Sequence, residues 1–175
     1  MAKLYFKYGT MGSSKTASAL MCKFNYEERG FRVLLIKSCI DKRDVQNGEI
    51  IVKSKDYLNS RDVVIVDEAQ FLTKEQVEQL KAVSEFVPVL CYGLLTNFKT
   101  ELFEGSKRLV EIADSLHEIK SVCRCGKKAN VNARFVNGKI SVDGDEILLG
   151  GNSSYEAVCF SCYEKLLKQA KNNKK

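Results

Sequence analysis

The sequence lacks the features that would direct a chain to a membrane or out of the cell. None of its apolar runs is long enough to cross a bilayer, and Met1-Ala2-Lys3-Leu4 does not have the charged-then-apolar layout of a signal peptide. We therefore expect a cytoplasmic protein with no membrane partner. The chain has no tryptophan, one proline and one histidine. We expect that histidine, His117, to lie on a strand face and to take no part in catalysis.

Positive charge is plentiful but concentrated at one end. The 175 residues carry a formal charge of +6, and five lysines lie between residues 165 and 175. A basic tail accounts for most of the excess, and no basic stripe interleaved with aromatic side chains occurs elsewhere. The sequence therefore predicts no nucleic-acid partner. With 45% hydrophobic residues, a chain of this length can bury a proper core as one domain with at most a small appendage.

A glycine-rich segment, Gly9 to Thr16, stands between an apolar run and a helical pattern. Such a turn from strand to helix directs backbone N–H groups and the positive end of the helix dipole at one point, which suits a polyphosphate. Lys15 would reach the β- and γ-phosphates, and the Thr16 hydroxyl would enter the coordination shell of Mg²⁺. Ser14 stands where the motif has its second glycine, and a plain Gly/Ser turn is the alternative. The predicted phosphate-binding residues are Gly9, Met11, Gly12, Ser13, Ser14, Lys15 and Thr16.

Strand-like and helix-like segments alternate in the first two thirds of the chain, which is typical of a mostly parallel sheet with helices on both faces. The most regular strand, residues 63–66, ends at Asp67 and Glu68, where ligands of open α/β sheets gather. Asp67 would hold Mg²⁺ through its water shell, and Glu68 would be free to act as a base. The alternative is an acidic turn that caps the next helix.

Two helices can be placed from local patterns. The capping box Thr73-x-x-Gln76 predicts a helix from Thr73 to Val83. The helix after the phosphate loop has one apolar stripe at helical spacing. That stripe consists of Ala17, Leu20, Met21 and Phe24.

Four of the seven cysteines form two close pairs, Cys123-x-Cys125 and Cys159-x-x-Cys162. Under reducing conditions such pairs are typical of a tetrahedral zinc site rather than of disulfides, and four thiolates leave no open position for a substrate. We therefore predict structural Zn²⁺, with free thiols or a redox pair as the alternatives. Hairpin signals at Asn137-Gly138 and Asp143-Gly144 lie between the pairs. The predicted divisions are a phosphate-binding domain over 1–120, a β-rich metal-binding domain over 121–167 and a basic disordered tail over 168–175.

A series of motifs follows in one order along nearly the whole chain. They are the phosphate loop, Ile40-Asp41-Lys42-Arg43, Asp67-Glu68-Ala69-Gln70-Phe71, Tyr92-Gly93-Leu94-Leu95-Thr96-Asn97-Phe98, Cys123-x-Cys125-Gly126-Lys127-Lys128-Ala129 and Gly150-Gly151-Asn152-Ser153-Ser154-Tyr155-x-x-Val158-Cys159. This ordered set resembles the thymidine kinases with a P-loop core and a zinc-bearing lasso domain. The resemblance implies a P-loop NTPase-like α/β core with a small zinc-ribbon-like lasso domain. It also implies transfer of the γ-phosphoryl group of ATP, with Mg²⁺, to the 5′-hydroxyl of thymidine, with deoxyuridine as a second acceptor.

The resemblance assigns roles to individual residues. Glu68 would take the proton of the 5′-hydroxyl, and Asp67 and Gln70 would join the nucleotide-binding residues. Tyr155 would close over base and sugar, unless it is a packed core aromatic, and the lasso over residues 134–155 would read the thymine edge with backbone groups. Asp41 and Arg43 would lie near the sugar and the transferred phosphate, unless they form an exposed ion pair. The implied substrate-binding residues are Asp41, Arg43, Phe71, Leu94, Phe98, Phe103, Leu148, Gly150 and Tyr155.

The chain departs from the family pattern at Ser14, at Leu95 and Asn97, and in the segment 38–60, which is much shorter. The short segment could shift Asp41 and Arg43 and lower turnover without abolishing ATP binding. The family further implies a homotetramer or homodimer and feedback inhibition by dTTP. Two other classes stay open: a P-loop NTPase that has lost nucleoside transfer, and a zinc-ribbon nucleic-acid binder with a vestigial loop.

Overall fold

The computed structural model describes residues 3–37, 60–144 and 154–172. Its larger lobe is built on a sheet of five parallel strands. In chain order these are β1 (Leu4–Tyr8), β2 (Val33–Lys37), β3 (Val63–Asp67), β4 (Val89–Gly93) and β5 (Ser115–Glu118). Their spatial order is β2-β3-β4-β1-β5, so β1 pairs with both β4 and β5. The parallel sheet predicted from the alternating segments is confirmed.

Helices cover both faces of this sheet. They are α1 (Lys15–Glu27), α2 (Lys74–Val83) and α3 (Glu104–Ile112). Because side chains alternate along a strand, β3 sends Val64 and Val66 to the core beneath α2 and α3, while Ile65 packs on the α1 side. The predicted capping box is confirmed, since Thr73 and Gln76 exchange side-chain-to-backbone hydrogen bonds at the start of α2.

The apolar stripe predicted for α1 does not face the core. Leu20, Met21 and Phe24 are 46%, 67% and 61% exposed, whereas Ala19 is buried against the sheet. Cys22 and Tyr26 pack beside Ala19, so the buried side of the helix is offset from the stripe. A helical period shows which residues share a face, but only the packed sheet shows which face it covers.

The smaller lobe follows β5 and consists of short antiparallel pairs and one helix. Its elements are β6 (Ser121–Val122), β7 (Lys128–Ala129), β8 (Val131–Val136), β9 (Lys139–Ser141), β10 (Tyr155–Val158) and α4 (Phe160–Asn172). β8 lies between β10 and β9. Asn137 and Gly138 both have positive φ, 50° and 74°, which makes the tight hairpin that the Asn-Gly signal predicted.

The basic tail predicted over residues 168–175 needs a correction, because α4 runs to Asn172. Residues 168–172 are therefore helical. Leu167 packs against the core of the smaller lobe, and Leu166 and Ala170 are half-buried, while Lys165 and Lys168 are exposed. The lysines thus occupy the solvent side of an amphipathic helix. Among the described residues, none of the helices combines the length and apolar character that crossing a bilayer requires.

Candidate active site

Three loops meet at the carboxyl edge of the sheet because the strands before them are parallel neighbours. The phosphate loop follows β1, Glu68 follows β3, and Leu94 follows β4. The ends of β1 and β4 are in register, and Gly9 N–H donates to Gly93 O at 3.3 Å. This edge is where open α/β sheets bind their ligands.

Lys15, the first residue of α1, lies inside the phosphate loop. Its Nζ donates to Thr10 O at 2.7 Å and to Ser13 Oγ at 3.4 Å, and the residue is only 8% exposed. Burial lowers the pKa of Lys15, and the nearby charges of Glu68 and Asp67 partly oppose that shift. The ammonium is therefore desolvated and feels the charge of both carboxylates, so an anionic polyphosphate would relieve its cost of burial.

Ser14 adopts a backbone conformation that favours glycine, the residue that the motif has at this position. Its φ of 62° and ψ of 28° lie in the left-handed region, and Gly12 in the same loop has φ 71°. A serine reaches this region at a steric cost that glycine does not bear. The backbone turn at position 14 is therefore one that a glycine there would reach freely.

Glu68 is held by its neighbours at the end of β3. Gln70 Nε2 donates to Glu68 Oε2 at 2.6 Å, while Gln70 Oε1 accepts the N–H of Leu94 at 2.9 Å. Asp67 Oδ1 accepts the N–H of Glu68 at 3.0 Å. Glu68 itself has φ 55°, a strained value for this residue that its packed surroundings maintain.

Gln70, implied by the resemblance to bind the nucleotide, also makes protein contacts that the sequence did not imply. Both ends of its buried amide contact the protein, so it connects the carboxylate of Glu68 to the loop after β4. Gly93 leaves room for this contact, since a Cβ there would lie 2.8 Å from Gln70 Oε1. The structure gives Gln70 the geometry of a positioning residue.

Four of the residues implied for the nucleoside site follow β3 or β4: Phe71, Leu94, Phe98 and Phe103. The rings of Phe71 and Phe103 meet edge to face with centroids 5.7 Å apart. Both backbone groups of Leu94 are hydrogen-bonded. Its N–H donates to Gln70 Oε1, and its carbonyl accepts a 2.5 Å hydrogen bond from Ser106 Oγ. Phe98 is buried and lies under Arg134, whose Cζ is 3.5 Å from the ring centroid.

Tyr155 is half-buried in β10, where it pairs with Arg134 of β8. It therefore lies on the strand next to the side chain that covers Phe98. The other residues implied for the substrate lie outside the described residues. They are Asp41, Arg43, Leu148 and Gly150.

The four predicted cysteine ligands converge in the smaller lobe. The Sγ atoms of Cys123, Cys125, Cys159 and Cys162 all lie within 4.8 Å of one another, and those of Cys125 and Cys159 are 3.5 Å apart. Tetrahedral Zn²⁺ with Zn–S bonds of about 2.3 Å would separate its sulfurs by about 3.8 Å. The cluster therefore fits a closed zinc site.

The thiols of this cluster share their protons unequally. Hydrogen bonds from backbone groups, that of Cys125 first, lower the pKa of Cys123 to about 6. Hydrogen bonds with the other three thiols, that of Cys125 first, raise the pKa of Cys162 to about 12. The backbone thus favours negative charge on at least one sulfur, as a metal site requires.

The sequence profile of the thymidine kinase family matches residues 2–62 and 50–163. The thymidine kinase of Photorhabdus laumondii is 37% identical over 199 residues, covering 100% of this chain and 98% of that protein. Those of Shewanella oneidensis and Pasteurella multocida are 41% and 42% identical over 182 residues, each covering 91% of this chain and 95% of the relative. The chain belongs to the thymidine kinase family. The resemblance inferred from the ordered motifs is confirmed.

Solved structures add little to this family assignment. A DNA replication initiation factor matches with a TM-score of 0.47 and 19% identity, covering 67% of this chain and 40% of that one. A score this low carries no argument about the chain.

Sequence reasoning missed residues by which this member of the thymidine kinase family holds its site together. Asn132 and Arg134 of β8 are each only 3% exposed and reach across to the larger lobe. Tyr163 of α4 donates from Oη to Phe98 O at 3.1 Å. The alternation Val131-Asn132-Ala133-Arg134 would ordinarily predict that its polar members face solvent. The signal against that expectation lies only in the packed structure.

Proposed function

We propose that this chain transfers the γ-phosphoryl group of ATP to the 5′-hydroxyl of thymidine, with deoxyuridine as a second acceptor. The observation that carries the proposal is the arrangement at one edge of the sheet: buried Lys15 lies in the phosphate loop after β1, and Glu68, whose carboxylate Gln70 holds, follows β3. Such a pair provides a cation for a polyphosphate and a base for an attacking hydroxyl. Thymidine as the acceptor rests on family membership.

In this proposal each group has a defined step. Lys15 would exchange its hydrogen bond to Thr10 O for phosphate oxygens, and Asp67 and Thr16 would hold Mg²⁺ with the nucleotide. The bound ion offsets the negative charge of the phosphates. Glu68 accepts the proton of the 5′-hydroxyl as the new O–P bond forms, and the bond from the γ-phosphorus to the ADP oxygen breaks with its electron pair on ADP.

The nucleoside would lie against the wall formed by Phe71, Leu94 and Phe103, with Phe98 behind it. The fixed backbone of Leu94 and the edge-to-face aromatic pair support a preformed surface for a flat base. We assign the remaining contacts to Tyr155, Asp41, Arg43, Leu148 and Gly150 on the strength of the family motifs.

We further propose that the cysteine cluster binds one structural Zn²⁺ and that the enzyme works in the cytoplasm, where thiols stay reduced. A homotetramer or homodimer is supported by the exposed Leu20, Met21 and Phe24 on α1, since exposed apolar groups of this kind mark interaction surfaces. Feedback inhibition by dTTP follows from the family alone. Light scattering of the purified protein and an inhibition curve with dTTP test these two points.

The decisive experiment is a coupled assay of ADP release with ATP, Mg²⁺ and a panel of nucleosides, with products identified by mass spectrometry. We expect thymidine 5′-monophosphate in an amount equal to the ADP formed. ADP release that is independent of any nucleoside would support the NTPase alternative instead. Filter binding at two salt concentrations tests the nucleic-acid alternative, whose affinity would fall steeply with salt.

A further inference from the structure

Asn132 connects the smaller lobe to two separate loops of the active site. Its Oδ1 accepts the N–H of Met11 in the phosphate loop at 2.8 Å. Its Nδ2 donates to Thr96 O in the loop after β4 at 3.1 Å. Asn132 is itself only 3% exposed, and both of its hydrogen bonds are partly buried.

The chemistry of the two partners fixes the orientation of this amide. A backbone N–H can only donate and a backbone carbonyl can only accept, so the oxygen of Asn132 must face Met11 and the nitrogen must face Thr96. A side-chain amide is the neutral group that satisfies both at once. Its loss would leave a partly buried donor and a partly buried acceptor without their partner, which is costly.

The two loops would bind the two substrates of the proposed reaction. Met11 belongs to the loop that would bind the phosphates of ATP. Thr96 lies two residues beyond Leu94, whose N–H is held by Gln70 beside Glu68. A second contact from the smaller lobe, between Ser121 Oγ and Thr10 Oγ1, reaches the same phosphate loop.

We propose that Asn132 is a positioning residue for phosphoryl transfer, which sets the separation between the phosphate loop and the nucleoside wall. The inference rests on the proposed function. In-line transfer requires the attacking oxygen to lie close to the γ-phosphorus, and a misplacement of about 1 Å costs about 100-fold in rate. One buried amide that touches both loops is well placed to prevent that error.

The test compares Asn132→Leu, which has a similar volume but no hydrogen bonds, with Asn130→Leu as a matched control. Asn130 is exposed and immediately precedes β8. For Asn132→Leu we expect kcat to fall about 10- to 100-fold. Affinities for ATP and thymidine, measured separately, should fall much less. A bisubstrate ligand, in which a polyphosphate chain links adenosine to the 5′-oxygen of thymidine, should lose more affinity than the product of the two separate losses.

The possible outcomes separate this inference from the proposed function. A wild-type protein that phosphorylates no nucleoside would overturn the proposed function. An active wild type whose Asn132→Leu variant keeps its kcat, with bisubstrate affinity changed only by the product of the separate losses, would overturn the role of Asn132 alone. An Asn132→Leu variant with a lowered Tm but unchanged kinetics would also overturn the role of Asn132, because it would show that the contact only stabilises the fold.

Hydrogen exchange on the wild-type protein keeps the inference testable if the variant fails to fold. The Met11 amide lies in a loop and should nonetheless be protected, because it donates to Asn132 Oδ1. Exchange of this amide at the rate of an unstructured peptide would contradict the proposal. Protection that persists in a folded Asn132→Leu variant would contradict it as well.

Discussion

The two lobes of the molecule are held together by different means. In the larger lobe every residue of β3 and β4 is buried, and helices pack on both sides of the sheet. In the smaller lobe the core is short, and Cys123 and Cys159 are themselves among its buried residues. Burial of apolar side chains is enough to stabilise the larger lobe. A core as small as that of the smaller lobe ordinarily needs a bound metal ion or a covalent cross-link as well.

This difference shows which lobe limits the stability of the geometry at the candidate active site. The chemical groups Lys15, Asp67 and Glu68 stand on the larger lobe, but the smaller lobe supplies Asn132 and Arg134, which reach the loops around them. The geometry of the site therefore depends on the lobe with the weaker core. Four ways to test this comparison follow, in order of decreasing effect.

The largest effect is expected from removal of the proposed Zn²⁺. Chelation or Cys159→Ser should unfold the smaller lobe and leave the parallel sheet folded, because structural zinc contributes about 10–16 kcal/mol of apparent binding free energy in small zinc domains. Hydrogen exchange followed residue by residue should show lost protection in β8 and β10 with retained protection in β3.

Cys22→Ser is the control for that experiment, because Cys22 lies in α1 away from the cluster. It should keep one zinc per chain by elemental analysis. Reduced wild-type protein that binds no metal, or a sheet that unfolds together with the smaller lobe, would break the distinction between the lobes.

A second test separates chemistry from stability within the larger lobe. Glu68→Gln should lower kcat by about 10²- to 10⁴-fold, the usual contribution of a general base, while affinity for ATP stays nearly unchanged. The amide oxygen can still accept from Gln70 Nε2, so Tm should not fall appreciably. Exposed Glu85→Gln serves as the control. Unchanged turnover in Glu68→Gln would show that another group acts as the base.

A third test concerns the strained serine of the phosphate loop. Ser14→Gly should raise the free energy of unfolding by up to about 1 kcal/mol, because glycine adopts φ 62° without a Cβ clash. Ser18→Gly, in the interior of α1, should lower it by a few tenths of a kcal/mol to about 1 kcal/mol. Urea denaturation of both variants checks the signs, and a destabilised Ser14→Gly would mean that the serine side chain makes a compensating contact.

The smallest effect is expected from acid titration of the larger lobe. Asp114 accepts hydrogen bonds from Lys81 Nζ and from the N–H of Leu4, both at 2.7 Å, and these, Lys81 first, hold its pKa below the ordinary 3.8. Its stabilising contribution is therefore fully present above about pH 4 and disappears as the pH falls through the lowered pKa.

Asp114→Asn should accordingly lower Tm slightly at pH 7, and the difference from wild type should shrink as the pH falls below about 4. The smaller lobe should respond at a higher pH than the larger one, because protons compete with the metal for the thiolates. Tm and zinc content measured along the same pH series test this order. Unfolding of both lobes at the same pH would show that they unfold as one cooperative unit.

The chain itself predicts the sheet, the phosphate loop and the cysteine pairs because each rests on local pattern. The spacing of Thr73 and Gln76 predicts the start of α2, and Asn137-Gly138 predicts the hairpin of β8 and β9. The predictions that the structure corrects concern which side of α1 is buried and where the last helix ends. The stripe with Leu20 and Met21 points to solvent, and Lys168 and Lys171 of the predicted tail belong to α4.

The linear sequence determined which chemical groups are available and which of them follow strands: Lys15 after β1, Glu68 after β3 and the thiols in two close pairs. Only the tertiary structure decided that Gln70 holds Glu68 and that Asn132 reaches Met11 and Thr96 from another lobe. The physical reason is that the bonds from Leu94 to Gln70, from Met11 to Asn132 and from Asn132 to Thr96 join residues far apart in the chain and leave no local periodicity. Each needs two folded surfaces to bring donor and acceptor together.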